Sequence, residues 1–493
     1  MDRNFILFVS KIRNISYFYL YLEQNKLKFR KLKTISIVLL AVLIFVNSGT
    51  FVMAETLEEA ANERKLLPIE SNSTAGWPEG PAIGAEAAIL MEVNTGTILY
   101  SKNIHEELYP ASTTKIMTCL LAVENGNLSD TIKFTYDAIH SVPADGSNIG
   151  MDAGEYLSLE ECLYGIMVGS ANEVANAVAE NLCGSIQGFV DLMNEKARSI
   201  GCTNTHFVNT NGLQDPDHYT SAYDLALIGC EFFSNELLCR VGNTPRYHFE
   251  PSAGQPDDFY LNNKHKLISG EIQYPGIIGG KTGYTDLARE TLVTCAERGN
   301  MKLVCVILKE ESPAQFTDTV QLFDYGFNNF KAVNVKSEET GYIPKDNSFF
   351  SQGEDIFNIK GASLEFTKND YVCLPQNAEL SDATSEISYT NDENSPESVA
   401  TIEYFYSGVP IGNGHIVVNS GTSTDSDNND PERTIYINIK TALSGILVAG
   451  GLLLLSIYIS ALISTYSFGG SREDRKRLSR RKKEAKKRSG PRF

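Results

Sequence analysis

Hydrophobic and polar positions change period several times along this chain, and each change marks an element. An apolar run, Ala87-Ala88-Ile89-Leu90-Met91-Glu92-Val93, is followed by Asn94-Thr95-Gly96 and a second run, Thr97-Ile98-Leu99-Tyr100; this predicts a β-hairpin. After Pro110, the apolar residues Ile116, Cys119, Leu120 and Val123 recur at helical spacing, so a helix begins near Ser112. Ser158-Leu159-Glu160-Glu161 reads as a capping box opening a helix through Met167. A break at Ser170-Ala171-Asn172 precedes a further helix, roughly Glu173 to Leu182. Later, Gly279-Gly280-Lys281-Thr282-Gly283 leads into a hairpin, Thr291 to Ala296 and Lys302 to Leu308, around a turn at Arg298-Gly299-Asn300. Strands at both ends with helices between predict a mixed α/β domain of α+β type over residues 82–330, its helices packed on a mainly antiparallel sheet.

Residues 331–420 differ in character. Ser363-Leu364-Glu365-Phe366, Tyr371-Val372-Cys373-Leu374 and Thr401-Ile402-Glu403-Tyr404-Phe405-Tyr406 are strand-like, with no long helical period, and predict a small all-β domain. Residues 55–81 form a polar leader without clear periodicity. Residues 421–440 are an acidic linker that includes the polar stretch Gly421 to Arg433.

Two stretches are too apolar for a soluble domain's loops. The run ISIVLLAVLIFV lies beyond Lys31 and Lys33 and ends near Val52-Met53-Ala54. It resembles the h-region and cleavage site of a secretory signal, so residues 1–54 are expected to be a signal segment with a long basic n-region. Ala442 to Ile463 is uncharged and long enough to span a bilayer, so 441–466 is the expected C-terminal transmembrane helix.

Charge supports that topology. The 493-residue chain has formal net charge −18. Residues 1–34 carry +6 and residues 472–493 carry +9, leaving −33 on the body between them. So acidic a body argues against nucleic-acid partners. The basic 467–493 tail is expected to stay cytoplasmic, which places residues 55–440 outside the cell membrane. There are nine Cys and no C-x-x-C. Cys119, Cys162, Cys183, Cys230, Cys295 and Cys305 sit among apolar residues and read as small buried hydrophobes. No metal or cofactor is expected.

Candidate chemistry comes from three ordered motifs: Ser112-Thr113-Thr114-Lys115, Ser170-Ala171-Asn172 and Lys281-Thr282-Gly283. Singly each is weak. S-x-x-K recurs at Ser479 to Lys482, and S-x-N recurs at Ser101-Lys102-Asn103 and Ser426-Asp427-Asn428. Alone, the first motif is more often a helix start with a surface lysine, the second a helix cap and the third a turn than a site. Only this triplet lies wholly within foldable, hydrophobically patterned sequence, and the joint occurrence carries the reading.

A serine nucleophile needs a base. His206, His218 and His265 are scattered, whereas Lys115 lies three residues after Ser112 on the same helix face. A lysine serves as a base only when burial or another cation lowers its pKa, and Lys281 is the candidate cation. Ser170 suits proton relay to a leaving amine, and Asn172 suits fixing Lys115. Lys281 and Thr282 suit a substrate carboxylate, and Gly283 permits close backbone approach. The backbone N–H groups of Ser112 and Tyr284 are candidates for an oxyanion hole.

Residues 87–330 closely resemble the serine-type D-alanyl-D-alanine carboxypeptidases, the low-molecular-mass penicillin-binding proteins. The resemblance is carried by Pro110-Ala111-Ser112-Thr113-Thr114-Lys115-Ile116-Met117-Thr118 and by Gly280-Lys281-Thr282-Gly283-Tyr284-Thr285. Two further blocks add to it: Asn209-Thr210-Asn211-Gly212-Leu213, and His218-Tyr219-Thr220-Ser221-Ala222-Tyr223-Asp224-Leu225-Ala226. It implies a penicillin-binding, β-lactamase-like transpeptidase fold, an acyl-enzyme on Ser112, Lys115 as proton acceptor, Ser170 as an active residue and Lys281 as a substrate contact. Peptidoglycan stem peptides and β-lactams are the implied partners. Family members usually read Ala-Gly where this chain has Ala288-Arg289. A class A β-lactamase would need a deacylating Glu in an E-x-x-L-N loop, and Glu236-Leu237-Leu238-Cys239 lacks the Asn. A D,D-endopeptidase uses identical residues, and an inactive membrane-tethered wall-binding protein is a third reading.

Overall fold

The computed structural model describes residues 57–143, 146–339, 341–342, 363–389 and 398–419, all within one compact unit. The expected signal segment, acidic linker, apolar span and basic tail lie outside the described residues. Among the described residues, no helix is long and apolar enough to cross a membrane.

After helix α1 (Leu57–Arg64), strands β1 (Ala87–Glu92) and β2 (Ile98–Lys102) form the first hairpin. Helix α2 (Lys115–Asn125) follows, entered through a 3-10 turn, Ala111–Thr114. A two-stranded ribbon of β3 (Thr131–Lys133) and β4 (Tyr156–Ser158) flanks the short α3 (Tyr136–His140). Helices α4 (Leu159–Met167), α5 (Asn172–Cys183), α6 (Ile186–Ser199), α7 (Ala222–Phe233) and α8 (Glu236–Gly242) come next. The ribbon β5 (Arg246–Phe249) and β6 (Phe259–Asn262) and the short α9 (Lys266–Ser269) lead to β7 (Ile277–Thr285), β8 (Arg289–Arg298) and β9 (Met301–Glu310). Helix α10 (Ala314–Asn329) closes the domain.

The central sheet has the order β2-β1-β9-β8-β7, and every neighbouring pair is antiparallel. Its strands read as apolar runs because both faces are covered, and side chains alternate between two cores. From β1, Ala87, Ile89 and Met91 enter a core shared with α2, α4, α5, α6 and α7. Ala88 and Leu90 enter the opposite one, with α10. Strand β9 divides likewise: Val304, Val306 and Leu308 on the first face, Leu303, Cys305 and Ile307 on the second. The capping box at Ser158 and Glu161 is present as read, with the Glu161 carboxylate accepting the Ser158 N–H at 2.7 Å.

The second sheet contains β10 (Phe330–Asn334), β11 (Ser363–Phe366), β12 (Tyr371–Pro375), β13 (Thr384–Ser388), β14 (Ser398–Tyr406) and β15 (Val409–Asn419). Its order is β10-β12-β15-β14-β13, with β11 also paired to β15. Phe330, Val372, Leu374, Ile402 and Tyr404 share the α10-side core, so the two sheets are joined through buried apolar surface.

The leader holds more structure than its composition suggests. The Trp77 ring packs 5.1 Å from Phe330 and 6.2 Å from Tyr406 (centroid distances), and its indole N–H donates to the Leu99 carbonyl at 2.9 Å. The buried Lys102 ammonium donates to the carbonyls of Arg64 at 2.7 Å and Ile83 at 2.8 Å. Single anchors of this kind leave no periodic trace in sequence. All nine cysteines are free; Cys119, Cys162, Cys295 and Cys305 are buried, while Cys183 and Cys230 are half-buried.

Candidate active site

Pro110 sets the entry to α2. Its carbonyl accepts the Thr113 hydroxyl at 2.6 Å and the Thr291 hydroxyl of β8 at 2.8 Å, which moors the turn to the central sheet. Ala111 is held at φ +48°. Ser112 therefore lies at the mouth of a cavity of about 370 Å³, walled by Ser170, Thr282, Gly283 and Tyr284, with Ser147 and Lys264 on another side. The three motifs, dispersed along the chain, meet here.

Lys115 is fully buried beneath Ser112. Its Nζ lies 2.7 Å from Asn172 Oδ1, 2.6 Å from the Asn211 carbonyl oxygen and 3.0 Å from Ser112 Oγ. The first two partners can only accept. A neutral amine has two N–H groups and one lone pair, so those acceptors take both N–H groups and the lone pair is left facing Ser112 Oγ. Burial, with help from the Lys281 charge, pushes the Lys115 pKa well below the usual lysine value. In its neutral form the Lys115 amine is placed to receive the Ser112 proton, and burial and the Lys281 charge favour that form.

The Asn211 carbonyl is aimed by its own loop. Thr210 Oγ1 donates to Asn176 Oδ1 at 2.6 Å, and Thr118 Oγ1 donates to the Thr210 carbonyl at 2.5 Å. Gly212, at φ +82°, is crowded so closely against Ala111 that a Cβ would overlap its carbonyl oxygen. Behind α2, the buried His218 accepts the Val208 N–H on Nδ1 at 3.1 Å, so its Nε2 carries the proton and donates to Thr114 Oγ1 at 2.8 Å. Burial lowers the His218 pKa to about 3, so the ring is neutral.

Ser170 sits just before α5 in the left-handed region, φ +59°, a conformation that costs a non-glycine residue about 1–2 kcal/mol. Its Oγ accepts from Lys281 Nζ at 3.1 Å, and the same ammonium donates to the Thr282 carbonyl at 2.8 Å. Burial and then the Lys264 charge bring the Lys281 pKa down to about 7. His265 lies behind β7: a Cβ on Gly280 would approach its Nε2 to 2.7 Å. Close approach is also needed at Gly283, where a Cβ would come within 2.8 Å of the Ser112 backbone nitrogen. Ser112 and the Tyr284 strand are thus adjacent, and the Tyr284 ring is 51% exposed at the cavity rim.

The departure at Arg289 leaves β8 intact. Arg289 takes the positive φ of +53° where the family favours Gly, and pairs with β7 opposite Thr285. Its guanidinium is held by Glu311 at 2.7 and 3.1 Å and donates to the Tyr284 hydroxyl at 3.3 Å.

Several groups here escaped the sequence reading. Lys264, Ser147, the Asn211 carbonyl, Asn176 and His218 build the site from four separate segments. For Asn211 and His218 the family-like blocks were a signal of place, though not of role. For Lys264 and Ser147 there was none.

The D-alanyl-D-alanine carboxypeptidase family model, peptidase S11, matches residues 74–312. The chain is 36% identical over 314 residues to D-alanyl-D-alanine carboxypeptidase DacF of Bacillus subtilis, covering 59% of this chain and 78% of that relative. It is 30% identical over 256 residues to D-alanyl-D-alanine carboxypeptidase DacB2 of Mycobacterium tuberculosis, covering 51% and 84%. Penicillin binding protein 5 from Haemophilus influenzae shares the fold, with TM-score 0.55 and 24% identity over 69% of this chain and 98% of that one.

Proposed function

This chain belongs to the D-alanyl-D-alanine carboxypeptidase family, and from that premise we propose that it removes the terminal D-Ala of peptidoglycan pentapeptide stems through an acyl-enzyme on Ser112. The observation that carries the reading is the Lys115 amine, fully buried and given two obligate acceptors besides Ser112 Oγ at 3.0 Å.

Ser112 Oγ attacks the carbonyl carbon of the penultimate D-Ala as its proton passes to Lys115 Nζ. The oxyanion takes the backbone N–H groups of Ser112 and Tyr284. Collapse breaks the peptide bond, and the proton that Lys115 took passes by way of Ser170 to the departing D-Ala nitrogen, which leaves Lys115 neutral again. Lys281 and Thr282 hold the terminal carboxylate. Water then attacks the ester, Lys115 again taking the proton, and Ser112 is regenerated. A β-lactam enters the same first step and is held as a stable ester. Ser112→Ala abolishes both D-Ala release, read by mass analysis of muropeptides, and labelling by a fluorescent penicillin. Retained labelling in that variant sinks the assignment.

The catalytic region acts outside the cell membrane, exported by the N-terminal signal and tethered by the 441–466 span, with the basic tail cytoplasmic. The apolar 442–463 run, the flanking basic residues and the acidic body support this. In intact cells, added protease removes the catalytic domain. Protection of that domain while an external control protein is digested overturns the topology.

A further inference from the structure

Beside Asn172, whose Oδ1 holds the Lys115 amine, Glu173 is 2% exposed. Its Oε1 accepts the Ile149 N–H at 2.6 Å, and its Oε2 is shut off from solvent with no hydrogen-bond partner. A second bond joins the same two segments, from the Asn172 N–H to the Ser147 carbonyl at 2.9 Å. A Cβ on Gly146 would approach Asn172 Nδ2 to 2.9 Å. Residues 146–150 thus lie against the Ser170–Asn172 turn and bring Ser147 to the cavity wall. A glutamine would satisfy the Ile149 N–H as well, without the cost of burying a carboxylate. An acid at this buried position needs a reason.

The groups around Lys115 supply one. Lys281 faces it from β7 and Lys264 from the segment before α9. Cys119, one turn along α2, is a neutral thiol whose pKa burial pushes up to about 12. Glu173 is the carboxylate that opposes the two lysines. Burial pushes the Glu173 carboxyl up from its ordinary value; the backbone N–H groups of Ile149, Glu173 itself and Gly150, and then the Lys115 charge, oppose that rise, and Glu173 lies in the first turn of α5, where a negative charge is favoured.

We propose that Glu173 is a positioning residue of the acyl-transfer centre: its carboxyl group pins the 146–150 segment beside the Ser170–Asn172 turn and is the countercharge to the ammonium that Lys115 becomes when Ser112 attacks. The inference rests on the reading of Ser112 as nucleophile and Lys115 as base. Burial, Lys281 and Lys264 all push the Lys115 pKa down, and Glu173 opposes them. Glu173 restores basicity and stabilises the ammonium formed when Ser112 attacks.

Two variants separate the roles. Glu173→Gln keeps an acceptor for Ile149 and loses the charge. Glu173→Asp keeps the charge and draws back from Ile149. Penicillin acylation is measured against pH, and the Lys115 ε-carbon resonance is titrated by NMR in 13C-lysine protein, assigned with Lys115→Arg. In Glu173→Gln both the acid limb and the resonance midpoint move to lower pH by on the order of one unit, and the plateau rate falls several-fold. In Glu173→Asp both midpoints stay within a few tenths of a unit of the wild-type values. Unmoved midpoints in the Gln variant, or an Asp variant that shifts as far as Gln, overturn the proposal. Failure of the Ser112 reading looks different: the wild-type protein itself takes no label, while the Lys115 titration still reports on Glu173.

Discussion

Replacing His218 by a group that cannot titrate should remove a defined part of the protein's sensitivity to acid. His218 is buried behind the nucleophile turn, neutral, with Nδ1 occupied by the Val208 N–H and Nε2 bonded to Thr114 Oγ1. Its pKa is about 3 in the fold against 6.5 for a free histidine. The folded value is the lower one, so the unfolded chain binds the extra proton. Stability from this group is complete above pH 6.5 and is lost as pH falls from 6.5 towards 3. Between pH 7 and pH 5 the loss is roughly 2 kcal/mol, the free energy of protonating an ordinary imidazole in the unfolded chain while the folded one stays neutral. Urea unfolding of a soluble fragment carrying the two sheets, at both pH values, measures it. His218→Gln should lose roughly 2 kcal/mol less than wild type between pH 7 and pH 5, whatever its stability at pH 7. His265, also lowered to about 3 by burial, and every carboxylate are present in both proteins, so their contributions cancel in the difference. If both proteins lose the same stability over this interval, His218 is not held neutral as described.

Lys115→Arg keeps a cation but removes the lone pair that faces Ser112, since a guanidinium does not deprotonate near neutral pH. Penicillin acylation should fall by about 10²–10⁴ or more, and a near-normal stopped-flow acylation rate would refute Lys115 as the base. At Arg289, Gly should be the better truncation: both Arg289→Gly and Arg289→Ala lose the Glu311 pair, but only Ala keeps a Cβ at φ +53°. Arg289→Gly should be more stable than Arg289→Ala by about 1 kcal/mol, and thermal unfolding that ranks Ala equal or higher contradicts the strain at this position.

Much of the fold was legible locally. Strands β1, β8 and β9 announce themselves as apolar runs bounded by turn residues, and α4 by its capping box, because these features depend on neighbours within a few residues. The nucleophile turn and the K-T-G strand were equally readable as motifs. Strand β13 was not: Thr384–Ser388 is half exposed and mostly polar, and pairs with β14 through backbone bonds that any sequence can make. The leader's role was hidden for a related reason, since Trp77 works as one anchor and not as part of a period.

By itself the sequence determined which residues are the candidates for nucleophile, amine and carboxylate-binding strand, because their side-chain chemistry and order along the chain are covalent facts. Tertiary structure alone decided the state in which they meet. The Lys115 pKa is pushed down only because α5 brings Asn172 and the 209–213 loop brings the Asn211 carbonyl, acceptors 57 and 96 residues away, and because all three residues are buried from water. Lys281, Lys264 and Glu173 then set its basicity through space. Desolvation and Coulomb interactions depend on distance in the folded molecule and not on distance along the chain, which is why no local pattern encodes them.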